Sequence, residues 1–164
     1  MNIYHPTILL GIIYLKPDLH DFVVKRENLD VDNPILDLRG RSVIKHELRA
    51  LCQKVDELNY YDVNKRKYTR HIRFIPDYSM TKMSRIFLDG KATAHFNRFL
   101  FHLRNEIAHE YAEIALTVYQ TPKIKSFQLF VEKYKIGNDE FDYEHLRRDV
   151  SRMNEARKRP AKQK

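Results

Sequence analysis

The sequence predicts an all-α fold: a single-domain antiparallel helical bundle carrying a flexible basic C-terminal tail. Apolar residues recur at helical spacing from Ser42, again from about Lys91 to Tyr119, and again over 124–135. Four Gly and six Pro are too few for the tight turns of an all-β chain. At 164 residues, 43% hydrophobic and 32% charged, the chain fits one globular domain able to bury a core without staples.

In order along the chain, "TILLGIIYL" at 7–15 is a short apolar run that periodicity alone cannot assign to helix or strand. Pro6 suits a first helical position and tips the reading to helix. "DLHDFVVKRENL" follows as a short amphipathic piece, and "DNPILDLRG" reads as a loop punctuated by Pro34 and Gly40. Ser42 is a natural N-cap for a helix to about Leu58, with Val43, Leu48, Leu51, Cys52 and Val55 on one side. Another helix is expected from near Ser79, with Met80, Met83, Ile86 and Phe87 apolar, breaking at Gly90. The longest helix then runs to Tyr119 and stops at "QTPK". "IKSFQLFVEKYK" is a helix ended by Gly137-Asn138, and "FDYEHLRRDVSRMNEARK" is a last, polar one. Residues 1–156 thus form the helical domain and 157–164 the tail, expected to be disordered.

The formal charge is +8, with a sequence pI near 9.5. Arg157, Lys158, Arg159, Lys162 and Lys164 account for five of these charges, leaving a mildly basic body of +3 (eight less five). The tail reads either as a solvated end or as a phosphate-attracting arm. Cys52 is the single cysteine, so no internal disulfide is expected. The longest apolar run, Ile8 to Leu15, is too short for a bilayer and lacks signal-peptide flanks. No membrane association and a cytoplasmic location are expected.

The chemistry concentrates in "LRNEIAHEY", residues 103–111. With Arg104 at zero on a helical wheel, Phe99, Leu103, Phe96, Ile114, Ile107 and Leu100 fall between about 220° and 320°, an expected core stripe. Asn105, Arg98, His109 and His102 fall between about 100° and 160° and form a polar stripe. Arg104 belongs to neither. Arg, His, Asn and His suit a semi-enclosed surface better than a solvated face, since Asn is a mediocre helix former and His titrates near neutrality.

These residues resemble a known family. Arg104, Asn105, His109 and Tyr111 match the Arg-Asn-x-x-x-His-x-Tyr pattern of the HEPN superfamily of small all-α domains. Many HEPN domains are metal-independent endoribonucleases that act as dimers. Bare Arg-x-x-x-x-His also occurs at Arg41–His46 and Arg66–His71, but Asn after Arg occurs only at Arg104. The resemblance implies RNA scission by the neighbouring 2′-hydroxyl, leaving a 2′,3′-cyclic phosphate, in a toxin or defence effector. His109 is then the proton-transfer group and Arg104 the fork that holds the phosphorane charge. Asn105 orients His109 or binds the backbone, and Arg98 and His102 extend the phosphate track. Arg104 and His109 lie about 140° apart on an ideal helix. A symmetric homodimer, pairing this helix across its two-fold axis, is one way to unite them.

Tyr111 reads either as a packing tyrosine or, from the resemblance to toxins neutralised by a partner nucleotidyltransferase, as a modification site. The chain departs from those toxins in its N-terminal region and in "NKRKYTRHIR", residues 64–73. There Lys65, Arg66, Lys67, Arg70 and Arg73 are candidate RNA-binding residues, interleaved with Tyr68 and His71. No cofactor or metal is expected: His95, His102 and His109 are spaced about 10 Å apart along a helix, too far for one ion. The expected partners are RNA, a second copy of the chain, and an antitoxin or regulator protein. The alternatives are a non-catalytic HEPN-like interaction module and a basic nucleic-acid-binding protein in which the motif is coincidental.

Overall fold

The computed structural model of the chain describes residues 11–54, 64, 66–76, 86–136 and 141–158. The elements run β1 (Gly11–Leu15), α1 (Pro17–Arg26), β2 (Ile35–Asp37), α2 (Val43–Leu51), β3 (Gln53–Lys54), β4 (Arg70–Ile75), β5 (Ile86–Phe87), α3 (Gly90–Tyr119), α4 (Lys123–Tyr134) and α5 (Tyr143–Lys158). The architecture is mixed α/β, a three-stranded mixed sheet packed against five helices, and so corrects the all-α expectation.

The sheet has the order β1-β4-β2. β1 runs antiparallel to β4, setting Gly11 opposite Phe74 and Tyr14 opposite His71, while β2 runs parallel to it. Ile13, Leu15, Leu36, Ile72 and Phe74 alternate onto the buried side, and Ile12, Tyr14, His71 and Arg73 onto the other. A strand thus forms at 11–15 where a helix was expected, because the apolar run finds a partner some sixty residues away. "RHIRFI" itself alternates with period two, a strand signal masked by the basic character of its neighbours. β2 lies inside the expected loop at 32–40.

Gly11 is required by a close approach. A Cβ there would lie 2.1 Å from the ring of Phe74, which is fully buried.

Other boundaries shift too. α2 keeps its Ser42 N-cap, whose hydroxyl accepts from the Lys45 N–H at 3.1 Å, but ends at Leu51 rather than Leu58. The chain then turns extended and pairs β3 with β5. Ile86 and Phe87 are therefore strand, not the end of a helix, while 79–85 lies outside the described residues. Pro6, Gly137 and Asn138 also lie outside them. α5 reaches Lys158, where the expected last helix also ends, so Arg157 and Lys158, which the sequence reading gave to both that helix and the tail, are helical.

The expected helix near 91–119 forms as α3, capped by Asp89, whose side chain accepts from the Ala92 N–H at 2.6 Å. Its buried face overlaps the expected one at Phe96 and Leu100 but is shifted round the helix. Thr93, Asn97, Leu100, Arg104, Ala108, Ala112 and Ala115 are buried, and they span about 320° through zero to 80° on the same wheel. That face centres on Arg104. Phe99, Leu103 and Ile107 are only half-buried, and Ile114 is 57% exposed. Three alanines let α4 and α5 pack closely along α3, so the face is built for proximity rather than hydrophobicity. Asn97 ties α3 to the β1–α1 joint: its amide donates to the Tyr14 carbonyl at 3.0 Å and its oxygen accepts from the Lys16 N–H at 3.0 Å.

The packing has two measurable consequences. Gly11→Ala should cost about 1–3 kcal/mol by overpacking against Phe74, read as a lower urea midpoint. Burial pushes the Cys52 thiol up to about 12. Iodoacetamide at pH 8 should therefore alkylate it slowly in the native chain and rapidly in urea; equal rates would show an accessible thiolate.

Candidate functional site

Arg104 belongs to no apolar stripe, yet its residue exposure is 0%. A guanidinium carries five N–H donors and cannot shed its charge, so enclosure is tolerable only when acceptors surround it. Here they do. Nη1 donates to Asp18 on α1, and Nη2 donates to Asp149 on α5 at 3.0 Å. Nε and Nη2 both donate to Asn105 Oδ1, at 3.1 and 2.9 Å. The flat cation lies near two rings, 5.3 Å from the Phe101 centroid and 4.8 Å from that of Phe141. One side chain therefore joins α1, α3 and α5.

Asp18 and Asp149 keep side-chain exposures of 17% and 20%, so the cluster lies just beneath the surface. Two carboxylates against one guanidinium leave a local excess of one negative charge. As placed, the fork meets protein carboxylates. Asn105 is also fully buried; its oxygen goes to Arg104, and its Nδ2 has no hydrogen-bond partner among the described residues.

Unlike Arg104 and Asn105, His109 is partly exposed, with its side chain 32% exposed. Its Nδ1 is 3.8 Å from Glu113 Oε1, one turn on. Glu113 is held below the usual carboxylate range, first by the hydrogen bond from Lys123, then by the charges of Lys123 and His109, against some desolvation. It therefore stays ionised at neutral pH. Arg98 and His102 are exposed on the same side of α3, with the His102 ring edge-on to Phe101 at 5.6 Å. The expected polar stripe thus divides: Arg98, His102 and His109 face outward, while Asn105 turns in beside Arg104.

Tyr111 is half-buried, edge-on to Phe130 at 5.9 Å, with Lys133 Nζ 5.6 Å from its ring. In the 64–73 segment, Arg66 and Lys67 are exposed at a turn and Lys65 lies outside the described residues. Arg70 and Arg73 line a cleft of about 440 Å³ together with His71, Asn33 and the buried His20. Arg73 donates to Asn33 there, and Tyr14 and His71 hold their rings 6.1 Å apart. Arg70 and Arg73 are therefore separated from Arg66 and Lys67 by their setting.

Sequence reading missed Asp18, Asp149, Phe141 and Glu113. The first three meet Arg104 only through the fold, at chain separations of 86 residues for Asp18 and 45 for Asp149. Glu113 carried a local signal, its i+4 spacing from His109. No family model, curated protein or solved structure matches the chain. Among the described residues no helix is long and apolar enough to cross a membrane.

Removing Arg104 strands two carboxylates. Arg104→Met should cost about 3 kcal/mol or more, the range for breaking a buried ion pair. Urea titration of Arg104→Met, Asp149→Asn and the double variant would measure the coupling; strict additivity would mean no energetic interaction.

Proposed function

We propose that the chain is a metal-independent endoribonuclease of HEPN type, acting as a cytoplasmic homodimer, in a toxin or defence role. The observation that carries this reading is the outward row Arg98–His102–His109 with Glu113 beside the last imidazole. A carboxylate at Nδ1 favours the tautomer that leaves Nε2 as acceptor. His109 then takes the proton of an RNA 2′-hydroxyl as that oxygen attacks the adjacent phosphorus. The bond from phosphorus to the 5′-oxygen breaks, that oxygen takes up a proton from water while His109 returns its own to the solvent, and a 2′,3′-cyclic phosphate and a 5′-hydroxyl result. Arg98 and His102, both N-terminal to His109 on α3, extend the phosphate track along the helix.

In this reading Arg104 acts as a positioning residue. Clamped between α1 and α5, it holds the α3 turn that carries His109, and Asn105 serves that clamp. The resemblance assigned Arg104 the developing charge; for that role its fork must exchange Asp18 or Asp149 for a phosphate oxygen. Dimerisation is supported by the C-terminal third of α3, where Ile114, Leu116, Val118 and Tyr119 are exposed on more than one side of the helix, as is Ile124 of α4. An antitoxin or regulator protein would have this same surface to cover.

A second reading, a non-catalytic HEPN-like interaction module, is favoured by the enclosure of Arg104 itself, since the fork meets two carboxylates.

The test is incubation of the full chain with total tRNA and mRNA in EDTA, beside His109→Ala and Arg98→Ala, with mapping of RNA ends. Cleavage to cyclic phosphate ends should vanish in His109→Ala at unchanged melting temperature. Arg98→Ala should raise KM about tenfold, the loss of one charge-assisted hydrogen bond of roughly 1.4 kcal/mol. A folded dimer that leaves RNA intact would sink the ribonuclease in favour of the interaction module.

A further inference from the structure

The ends of three helices meet around an open cleft of about 760 Å³, on residues that neither the motif nor the segment at 64–73 includes. Lys25 and Arg26 come from the last turn of α1, Arg41 from just before α2, and Lys133 from the last turn of α4. All four are exposed, and none is in an ion pair among the described residues. Among the described residues Glu27 is the one carboxylate in the lining, and Lys45 already sits 3.7 Å from it.

The bland account is that these cations balance helix dipoles. Each terminus carries only about half a charge, so two C-terminal ends call for roughly one cation between them, and three are present. Arg41 lies at an N-terminal end, where a cation is disfavoured. Among the described residues the cleft therefore keeps an excess of about three positive charges beyond what the helix ends call for. Lys133 is further held in place, its ammonium 5.6 Å from the Tyr111 ring and 5.8 Å from the Tyr134 ring.

We propose that this cleft binds the phosphate backbone of RNA. Like charges gathered without counterions repel, and a polyanion is the occupant that turns that repulsion into attraction by releasing its own condensed cations. The wide mouth suits a passing chain of phosphates. The choice of RNA rests on the ribonuclease reading above; the phosphate chemistry rests on the cleft alone. Lys133 also offers a use for Tyr111: the motif tyrosine supports a cation of the cleft, on the side of α3 away from His109.

The test uses the full chain and a labelled 2′-O-methyl RNA oligonucleotide, which has no attacking hydroxyl and so reports binding without cleavage. Wild type, Arg26→Ala/Arg41→Ala and His109→Ala are titrated at several salt concentrations. The double variant should bind at least about fivefold more weakly, and its salt dependence should fall by about 1.4 in log–log slope, roughly 0.7 for each single-strand phosphate no longer neutralised. Loss in the double variant beside retained binding in His109→Ala supports the cleft even if unmodified RNA is never cut. Equal affinity and slope in wild type and double variant overturn it. If wild type binds inorganic tripolyphosphate through Arg26 and Arg41 but not the oligonucleotide, RNA is overturned as occupant. Binding of neither probe overturns the cleft altogether.

Discussion

The enclosed guanidinium of Arg104 is the constraint around which the helical half of this protein is arranged. A permanently charged group held at zero exposure must be given acceptors, and those acceptors arrive from α1 and α5. Their arrival fixes where the N-terminal end of α1 and the middle of α5 lie against α3. Phe101 and Phe141 pack against the guanidinium and exclude water. The same arrangement sets the motif's chemistry, because it turns Asn105 inward and leaves His109 with Glu113 at the surface.

Around that ion cluster, packing follows from small side chains more than large ones. Ala108, Ala112 and Ala115 lie on the same face as Arg104 and let neighbouring helices come near enough for short polar side chains to reach it. The sheet contributes the opposite half of the core through Ile13, Leu15, Ile72 and Phe74. Asn97 links the halves, since one amide satisfies the backbone on both sides of the β1–α1 joint. Polar residues thus place the elements, and the apolar ones fill the space between them.

Positive charge falls into distinct settings. The row on α3 is linear and beside a carboxylate-flanked histidine; the sheet cleft mixes Arg70 and Arg73 with His20, His71 and Asn33; the cleft at the helix ends is almost purely cationic. A net charge of +8 said nothing of this division, since composition has no geometry.

The sequence by itself determined the long helices. α3, α4 and the polar α5 follow from periodicity, caps and the stop at Pro122, all of which are local. It also placed Arg98, His102 and His109 on one side of α3, because helix spacing is fixed. Tertiary structure decided the rest. β1 became a strand because an apolar run of undecided period found β4, and pairing of that kind depends on residues some sixty positions apart. Arg104 became the centre of the buried face because Asp18 and Asp149, remote in sequence, supply the charges that make its burial tolerable. A wheel drawn from hydrophobicity ranks an arginine as solvent-facing; only the acceptors brought by the fold reverse that order.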